Sequence, residues 1–348
     1  MRTCYLHIGA PKTGSTSIQG FLAEFRGALL ERGVDVPDFG EDDLVKGQLA
    51  LSGALSRETN ARRPRSAPWR WLDRHLARTA DHVCISREGL FNHLGDETQL
   101  GFAKSFFRTR GVKLKPIGYV RDSVGFLNAA YAQQAKKFRT PYGFDNWLIG
   151  ALDKARYSYW RRLRLLATDP DLDVSIKPLH RVGSRGLLTD FCREIGCPDI
   201  DASGFDDAPY RNATPGPKAL AAAVLVSRGL KERGVDPDFD PSLHRRFELA
   251  TEARNWGEAP FFGPGETTTE RIEAAFAEGN ETLARTLWAT SWAEAAPTTR
   301  RPQNVFDLNA APAEELREVE DLAQETLALA KSPAHGWRRL LGRDRPAG

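Results

Sequence analysis

One short segment constrains this chain more than any other. His7-Ile8-Gly9-Ala10-Pro11-Lys12-Thr13-Gly14-Ser15-Thr16-Ser17 closes an apolar run, turns between two glycines, and opens a run of helical spacing at Ser15. A strand ending at Gly9 and a helix starting at Ser15 aim the intervening backbone N–H groups at one spot, where the helix dipole adds positive potential. Lys12 brings a full charge, and the hydroxyls of Thr13, Ser15, Thr16 and Ser17 bring further donors. The segment reads as a phosphate cradle. It has the frame of a Walker A loop, with Gly9 and Gly14 correctly spaced, but Ser15 stands where that motif needs Lys. An apolar strand ending in Asp, which would hold Mg²⁺ in an NTPase, is also missing: the second strand runs into Ser86-Arg87-Glu88.

The rest of the first two thirds alternates strand and helix. Strands are expected over 3–8, 82–86, 114–120 (with Pro116 a local violation) and 172–177. Helices are expected over 15–25, 96–110, 123–137 and 187–195. Such alternation implies right-handed crossovers and a parallel sheet covered on both faces. After about residue 210 only helices are expected, over 217–233, 241–255, 266–290 and 312–331. The expected fold is therefore α/β, a P-loop-type three-layer fold with a central parallel sheet and a helical C-terminal portion. The expected domains are residues 1–295 and a C-terminal helix with a basic tail over 296–348.

Composition narrows the function classes. Lys and Arg number 49 against 46 Asp and Glu, a net charge of +3, which argues against an obligate nucleic-acid binder. Hydrophobic residues make up 41%, enough for a core without staples. No apolar run approaches the ~20 residues of a membrane helix, and Cys4–Ala10 is too short for a signal sequence. A cytoplasmic protein with reduced thiols is expected. Cys4 and Cys84 read as core residues, and Cys192 and Cys197 show no metal spacing. An Arg-rich stretch from Arg57 to Arg78, interleaved with Trp69 and Trp71, reads as a solvated surface or as a face for an anionic acceptor or the nucleotide.

Pro11-Lys12-Thr13-Gly14-Ser15-Thr16-Ser17 resembles the 5′-phosphosulfate loop of sulfotransferases that use 3′-phosphoadenosine 5′-phosphosulfate (PAPS). The chain is most similar to a bacterial-type, carbohydrate-sulfotransferase-like branch. Tyr119-Val120-Arg121-Asp122 begins a second family signature, an Arg at the end of the third strand and a Ser eight residues later, both on the 3′-phosphate. Phe126–Gln133 resembles its helix. More loosely, Lys177-Pro178-Leu179 and Arg211-Asn212 follow. The departure is Ala129, which stands where the family has Ser. A hydrogen bond to a charged group contributes ~1.5–3 kcal/mol, so its loss weakens nucleotide binding roughly ten- to a hundredfold unless Ser123 or Asn128 compensates.

The resemblance implies sulfuryl transfer from PAPS to a hydroxyl (or amine) acceptor, without a metal, releasing adenosine 3′,5′-bisphosphate (PAP). Lys12 would neutralise the leaving oxygen, and Pro11–Ser17 would hold the 5′-phosphate. Arg121 would read the 3′-phosphate. Glu88, beyond the second strand, resembles the branch's acidic base; His93 and, less so, His82 are alternatives. Tyr131, Gln133 and Lys136 carry at most an acceptor-side role, while Trp160, Trp288 and Trp292 read as core or interface. The acceptor is a hydroxyl-bearing molecule, a glycan or anionic metabolite. Two other readings stay open: a non-catalytic PAP-binding protein, and a P-loop nucleotide kinase.

Overall fold

Five parallel strands form one sheet in the order β2-β3-β1-β4-β5. They are β1 (Arg2–His7), β2 (Val34–Asp35), β3 (His82–Ser86), β4 (Val112–Val120) and β5 (Ser175–Pro178). The structure is a computed structural model and describes residues 2–10, 13–38, 49–79, 81–153, 157–183, 186–206, 214–298 and 300–330. Pro11, Lys12, Arg211, Asn212 and the basic tail therefore lie outside the described residues. Between β1 and β3 come α1 (Ser15–Glu24), α2 (Arg26–Leu30), α3 (Leu49–Leu55) and α4 (Ala67–Leu76). Between β3 and β4 come α5 (Gly89–His93) and α6 (Glu97–Arg108). Between β4 and β5 come α7 (Ser123–Lys136), α8 (Phe144–Leu152) and α9 (Tyr159–Ala167). Beyond β5 lie α10 (Leu179–Val182), α11 (Leu187–Glu194), α12 (Pro217–Glu232), α13 (Pro241–Ala253), α14 (Glu266–Trp288), α15 (Trp292–Ala295) and α16 (Ala313–Leu329).

Alternate residues of the central strands are buried on opposite faces, as a sheet covered on both sides requires. Ile117 and Tyr119 of β4 join Ile18, Phe21 and Leu22 of α1, Phe191 of α11 and Ile195 just after it in one core. α6 packs along β4, and its Phe102, Phe106 and Phe107 close around Trp69 of α4. The arrangement is consistent with a three-layer α/β fold. Pro116 sits inside β4 without harm. Ile117 faces β1, since its carbonyl accepts from the Ile8 N–H at 2.8 Å. The nitrogen of Pro116 therefore turns toward β5, whose pairing begins only at Ile117.

Two expectations are corrected here. The strand expected over 172–177 is shorter and later, Ser175–Pro178. Asp169 bends the chain before it, its side chain accepting from the Asp171 N–H at 3.0 Å and its carbonyl from the Leu172 N–H at 3.3 Å. The cut at residue 295 also fails to match the packing. One compact unit comprises Met1–Phe126, Lys154–Asn212 and Ile272–Thr299, the other Leu127–Asp153, Ala213–Arg271 and Arg300–Gly348. The reason lies in α16, which is no appendage: Val319, Leu322, Ala323 and Leu327 join Ala222, Val226 and Leu230 of α12 and Leu243 and Phe247 of α13 in the second unit's core. This also explains the apolar run over 219–226. Among the described residues, no helix is long and apolar enough to cross a membrane.

Leu322 is 1% exposed. Leu322→Ala should cost about 2–5 kcal/mol, read as an earlier urea transition by far-UV circular dichroism.

Candidate functional site

The strand order places the site. From β1 the chain crosses to β2, whereas β4 continues to β5 on the other side. Between β1 and β4 the winding therefore reverses, and the crevice outside their carboxyl ends is where open α/β sheets bind ligands. The two segments singled out by sequence, the loop after β1 and Arg121 after β4, both emerge there.

Local geometry builds the loop. Gly14 is the N-cap of α1 and has φ 86°, a left-handed conformation that costs a side chain about 1–3 kcal/mol. A Cβ there would also lie 2.2 Å from Cδ2 of Leu187, the first residue of α11. With glycine as cap, no side chain among the described residues caps the first N–H groups of α1, the kind of helix start that can accept an anion. Ser15 approaches Gly9 so closely that a Cβ on Gly9 would meet Ser15 Oγ at 1.9 Å. Ser15 Oγ is buried and has no hydrogen-bond partner. Thr16 and Ser17 are half-buried. Thr13 corrects the expectation for its hydroxyl: it is fully buried and donates to the Ala10 carbonyl at 2.8 Å, stapling the loop rather than facing a ligand.

Under the loop lies a residue that sequence reading passed over. His7, the last residue of β1, is fully buried, and its Nδ1 is 2.7 Å from Oγ of Ser86 on β3. Its Nε2 is buried without a partner, and its Cε1 would lie 3.1 Å from a Cβ on Gly9. Burial pushes the His7 pKa down to about 3, so the ring is neutral. The only signal in the sequence is a His inside an otherwise apolar strand. Ser86 occupies the end of β3, where a metal-dependent NTPase would carry Asp.

At the end of β4, Arg121 stands behind a well-made helix start. Asp122 caps α7, accepting from the Gly125 N–H at 2.7 Å; burial raises its pKa, against the pull of that hydrogen bond and of Arg121. The Arg121 guanidinium lies over Gly125, where a Cβ would meet Nη2 at 2.4 Å. Arg121 Nε is buried, has no hydrogen-bond partner, and stays 3.9 Å from the Asp122 carboxylate. The neighbouring Ser123 Oγ accepts from Asn280 Nδ2 at 2.8 Å, so its own proton remains available to donate.

Glu88 is brought to the same end of the sheet. The N–H of Arg87 donates to the His7 carbonyl at 2.9 Å, and Glu88 follows as the half-buried residue before α5. His93 sits at the other end of α5, its Nδ1 2.7 Å from Gln99 Oε1. His82 lies at the opposite end of β3, where its Nδ1 accepts from the Thr3 N–H at 3.0 Å, a structural role.

Several other candidates belong to the second unit. Ala129 is buried on α7 and belongs to the second unit. Asn128 does not replace the missing hydroxyl: its amide clasps the Phe261 carbonyl at 3.1 Å and the Gly263 N–H at 2.9 Å. Tyr131 is core of the second unit, against Phe144, Trp147 and Phe261. Lys136 is buried beside Glu248 at 3.7 Å, and Gln133 lies in the same unit. Trp288 donates to the Ile176 carbonyl at 2.7 Å, Trp160 packs beside Gly279, and Trp292 lies between Tyr159 and Trp288.

A pocket of about 490 Å³ opens at the carboxyl end of β5, lined by Lys177, Arg181, Asp190, Arg193 and Trp288 among others. Leu187 of α11 connects its wall to Gly14. One side is a half-buried polar chain: Tyr119 donates to Asp190 at 2.9 Å, and Lys177 bridges Asp190 and Glu194, each at 2.7 Å. Burial works against the Glu194 charge, but Lys115 and Lys177 outweigh it and hold the carboxyl down at about 2. A larger pocket, about 590 Å³, belongs to the second unit, but its cations Lys218 and Arg254 are already paired with Glu315, Glu318 and Glu325. Among the described residues no three His, Cys, Asp or Glu side chains cluster to hold a metal ion. Comparison with protein-family models, curated proteins and solved structures finds no match for this chain.

An unfolded His takes its proton near pH 6.5, while His7 stays neutral down to about pH 3. The stability this contributes is complete above pH 6.5 and is lost as pH falls toward 3, at up to about 1.4 kcal/mol per unit. Between pH 7 and pH 5 the wild-type unfolding free energy should therefore drop about 2 kcal/mol more than that of His7→Asn; equal slopes in urea titrations would refute the assignment. Gly14→Ala should destabilise by about 1–3 kcal/mol through its backbone alone, with the clash at Leu187 adding to this in a thermal melt.

Proposed function

We propose that the chain transfers a sulfuryl group from PAPS to a hydroxyl-bearing acceptor. The observation that carries this reading is the pair of buried donors without partners, Ser15 Oγ and Arg121 Nε, on segments leaving the adjacent strands β1 and β4. Burying such groups unpaired costs stability unless a ligand satisfies them. Two anion sites at adjacent strand ends suit a nucleotide with two separate anionic groups, and the missing Walker lysine disfavours a triphosphate.

When bound, PAPS supplies a sulfuryl group on a phosphate leaving group: its S–O bond to the 5′-phosphate breaks as one forms to the acceptor oxygen. The uncapped N–H groups of α1, with Ser15, Thr16 and Ser17, hold the 5′-phosphate. Lys12 neutralises charge on the departing oxygen, a preorganised electrostatic role. Arg121 and Ser123 recognise the 3′-phosphate, with Ser123 offering a donor where Ala129 has none. Glu88 takes the proton of the acceptor hydroxyl.

Calorimetry without metal should show PAP binding at least about tenfold tighter than AMP, the difference expected from one charged hydrogen-bonding group. Preference for Mg·ATP would instead support the kinase reading. Once an acceptor is known, Lys12→Ala should lower kcat, and Glu88→Gln should lower it about 10²–10⁴-fold with PAP affinity unchanged. A normal Glu88→Gln rate would move the base to His93. The buried methyl of Ala129 favours one second reading, a non-catalytic PAP-binding protein, which predicts tight PAP binding with no turnover of any hydroxyl acceptor.

A further inference from the structure

The Arg-rich stretch is a surface of its own. Arg57, Arg62, Arg63, Arg65, Arg70, Arg74 and Arg78 are all exposed, and no carboxylate among the described residues pairs with any of them. The acids nearby are committed elsewhere. Glu58 is 1% exposed, and its carboxylate accepts from the N–H groups of Arg65 and Ser66 at 2.8 and 2.7 Å. Asp73 is bound to Arg110 at 2.7 Å. Asn60 likewise accepts from the N–H groups of Arg62 and Arg63 at 3.1 and 3.2 Å. The loop is thus built on acceptors that hold its backbone, while its guanidinium groups remain exposed.

α4 extends this charge into a stripe. Trp69, Leu72 and Leu76 bury one face of the helix, Arg70 and Arg74 lie at four-residue spacing on the other, and Arg78 follows in the turn just past its end. Four residues of helix rise about 6 Å, so Arg70 and Arg74 set a spacing of about 6 Å along the stripe. Trp71, half-buried, stacks on His75 at 4.8 Å and 11° between planes, beside the stripe. Arg70 Nη1 donates to the Arg65 carbonyl, joining loop and helix in one face.

This face is not a wall of the site described above. Arg2, which opens β1, donates to the Leu76 carbonyl at 2.7 Å and to the Arg110 carbonyl at 3.1 Å. Arg110 in turn donates to the Ala61 carbonyl at 2.9 Å. The end of α4 and the Arg-bearing loop are therefore tied to the amino ends of the strands, opposite the crevice.

We propose that this face docks a linear acidic polysaccharide, whatever reaction the crevice performs. Guanidinium groups take carboxylate and sulfate groups in a two-pronged manner, and basic clusters of this kind are known for sulfated-glycan and nucleic-acid binding alike. Line charge favours the glycan: one cation about every 6 Å suits a polymer with a charge on each sugar ring better than duplex DNA, with one charge per ≈ 1.7 Å. A membrane is disfavoured because the apolar face of α4 is spent on the core, and none of the exposed large apolar side chains falls within 57–78.

The test measures binding of the full chain to polygalacturonate and dextran sulfate, with neutral dextran, oligothymidylate of matched length and phosphatidylserine vesicles in parallel. Both acidic glycans should bind, weakening with salt, while neutral dextran should not. Replacing Arg70, Arg74 and Arg78 together by Ser should weaken glycan binding about tenfold or more with an unchanged melting temperature, and Arg62→Ser with Arg63→Ser should weaken it through the loop. Tighter binding of oligothymidylate or of vesicles would overturn the proposal in favour of that partner. Unchanged glycan binding by both variants, or none by the wild type, would overturn it outright.

Discussion

Everything in the first unit depends on β1 being hydrogen-bonded on both sides, to β3 and to β4. That pairing sets the residue at which the chain is released from the sheet and brings three strand ends together. His7 then lies beside Ser86, Arg87 and Glu88 follow at the end of β3, and Arg121 emerges from the strand on the other side. Because the connections after β1 and β4 leave toward opposite sides of the sheet, a crevice opens between their carboxyl ends. The anion-binding role proposed for the loop rests on this placement and on a glycine cap, which leaves the first turn of α1 without a side-chain cap among the described residues.

The site is costly to fold, and the cost is informative. His7 is held neutral by burial, and Ser15 Oγ, His7 Nε2 and Arg121 Nε all lack partners. Each such group sacrifices hydration without a replacement. Elsewhere in the same unit the polar side chains around Tyr119, Asp190, Lys177 and Glu194 satisfy one another. Ser66 Oγ in the same unit, and Gln133 Oε1 and His244 Nδ1 in the other, also lack partners; Ser15 and Arg121 stand apart because they sit on segments leaving the carboxyl ends of adjacent strands.

Much of this was legible beforehand because it rests on local rules. The run HVCIS is β3 to the residue, and the loop's glycines announce a strand-to-helix turn. Positions that depend on tertiary packing were not legible. β2 has only two residues, too few for any periodicity. The burial of Thr13, the partnering of Asn128 by a distant turn, and the inward face of α16 all depend on what packs against them. His7 was visible as a letter but not as a site, since a polar residue in an apolar strand gains meaning only when its neighbours are known.

A net charge of +3 is an average over the whole chain, and it does not describe any one face. Charges count by where they sit and by whether they are paired. The acids of α16 meet Lys218 and Arg254, and Glu194 meets Lys115 and Lys177. The guanidinium groups of the 57–78 stretch meet no acid among the described residues. At physiological salt the screening length is about 8 Å, so a partner at that face feels the nearby arginines far more than the sum over the chain. Near-neutrality is thus compatible with two separate anion-seeking regions, a small buried one at the carboxyl ends of the strands and a broad exposed one at their amino ends. The buried donors, few and fixed in direction, suit a small ligand of defined shape. The exposed face, with its long side chains in water, suits a polymer recognised by charge spacing.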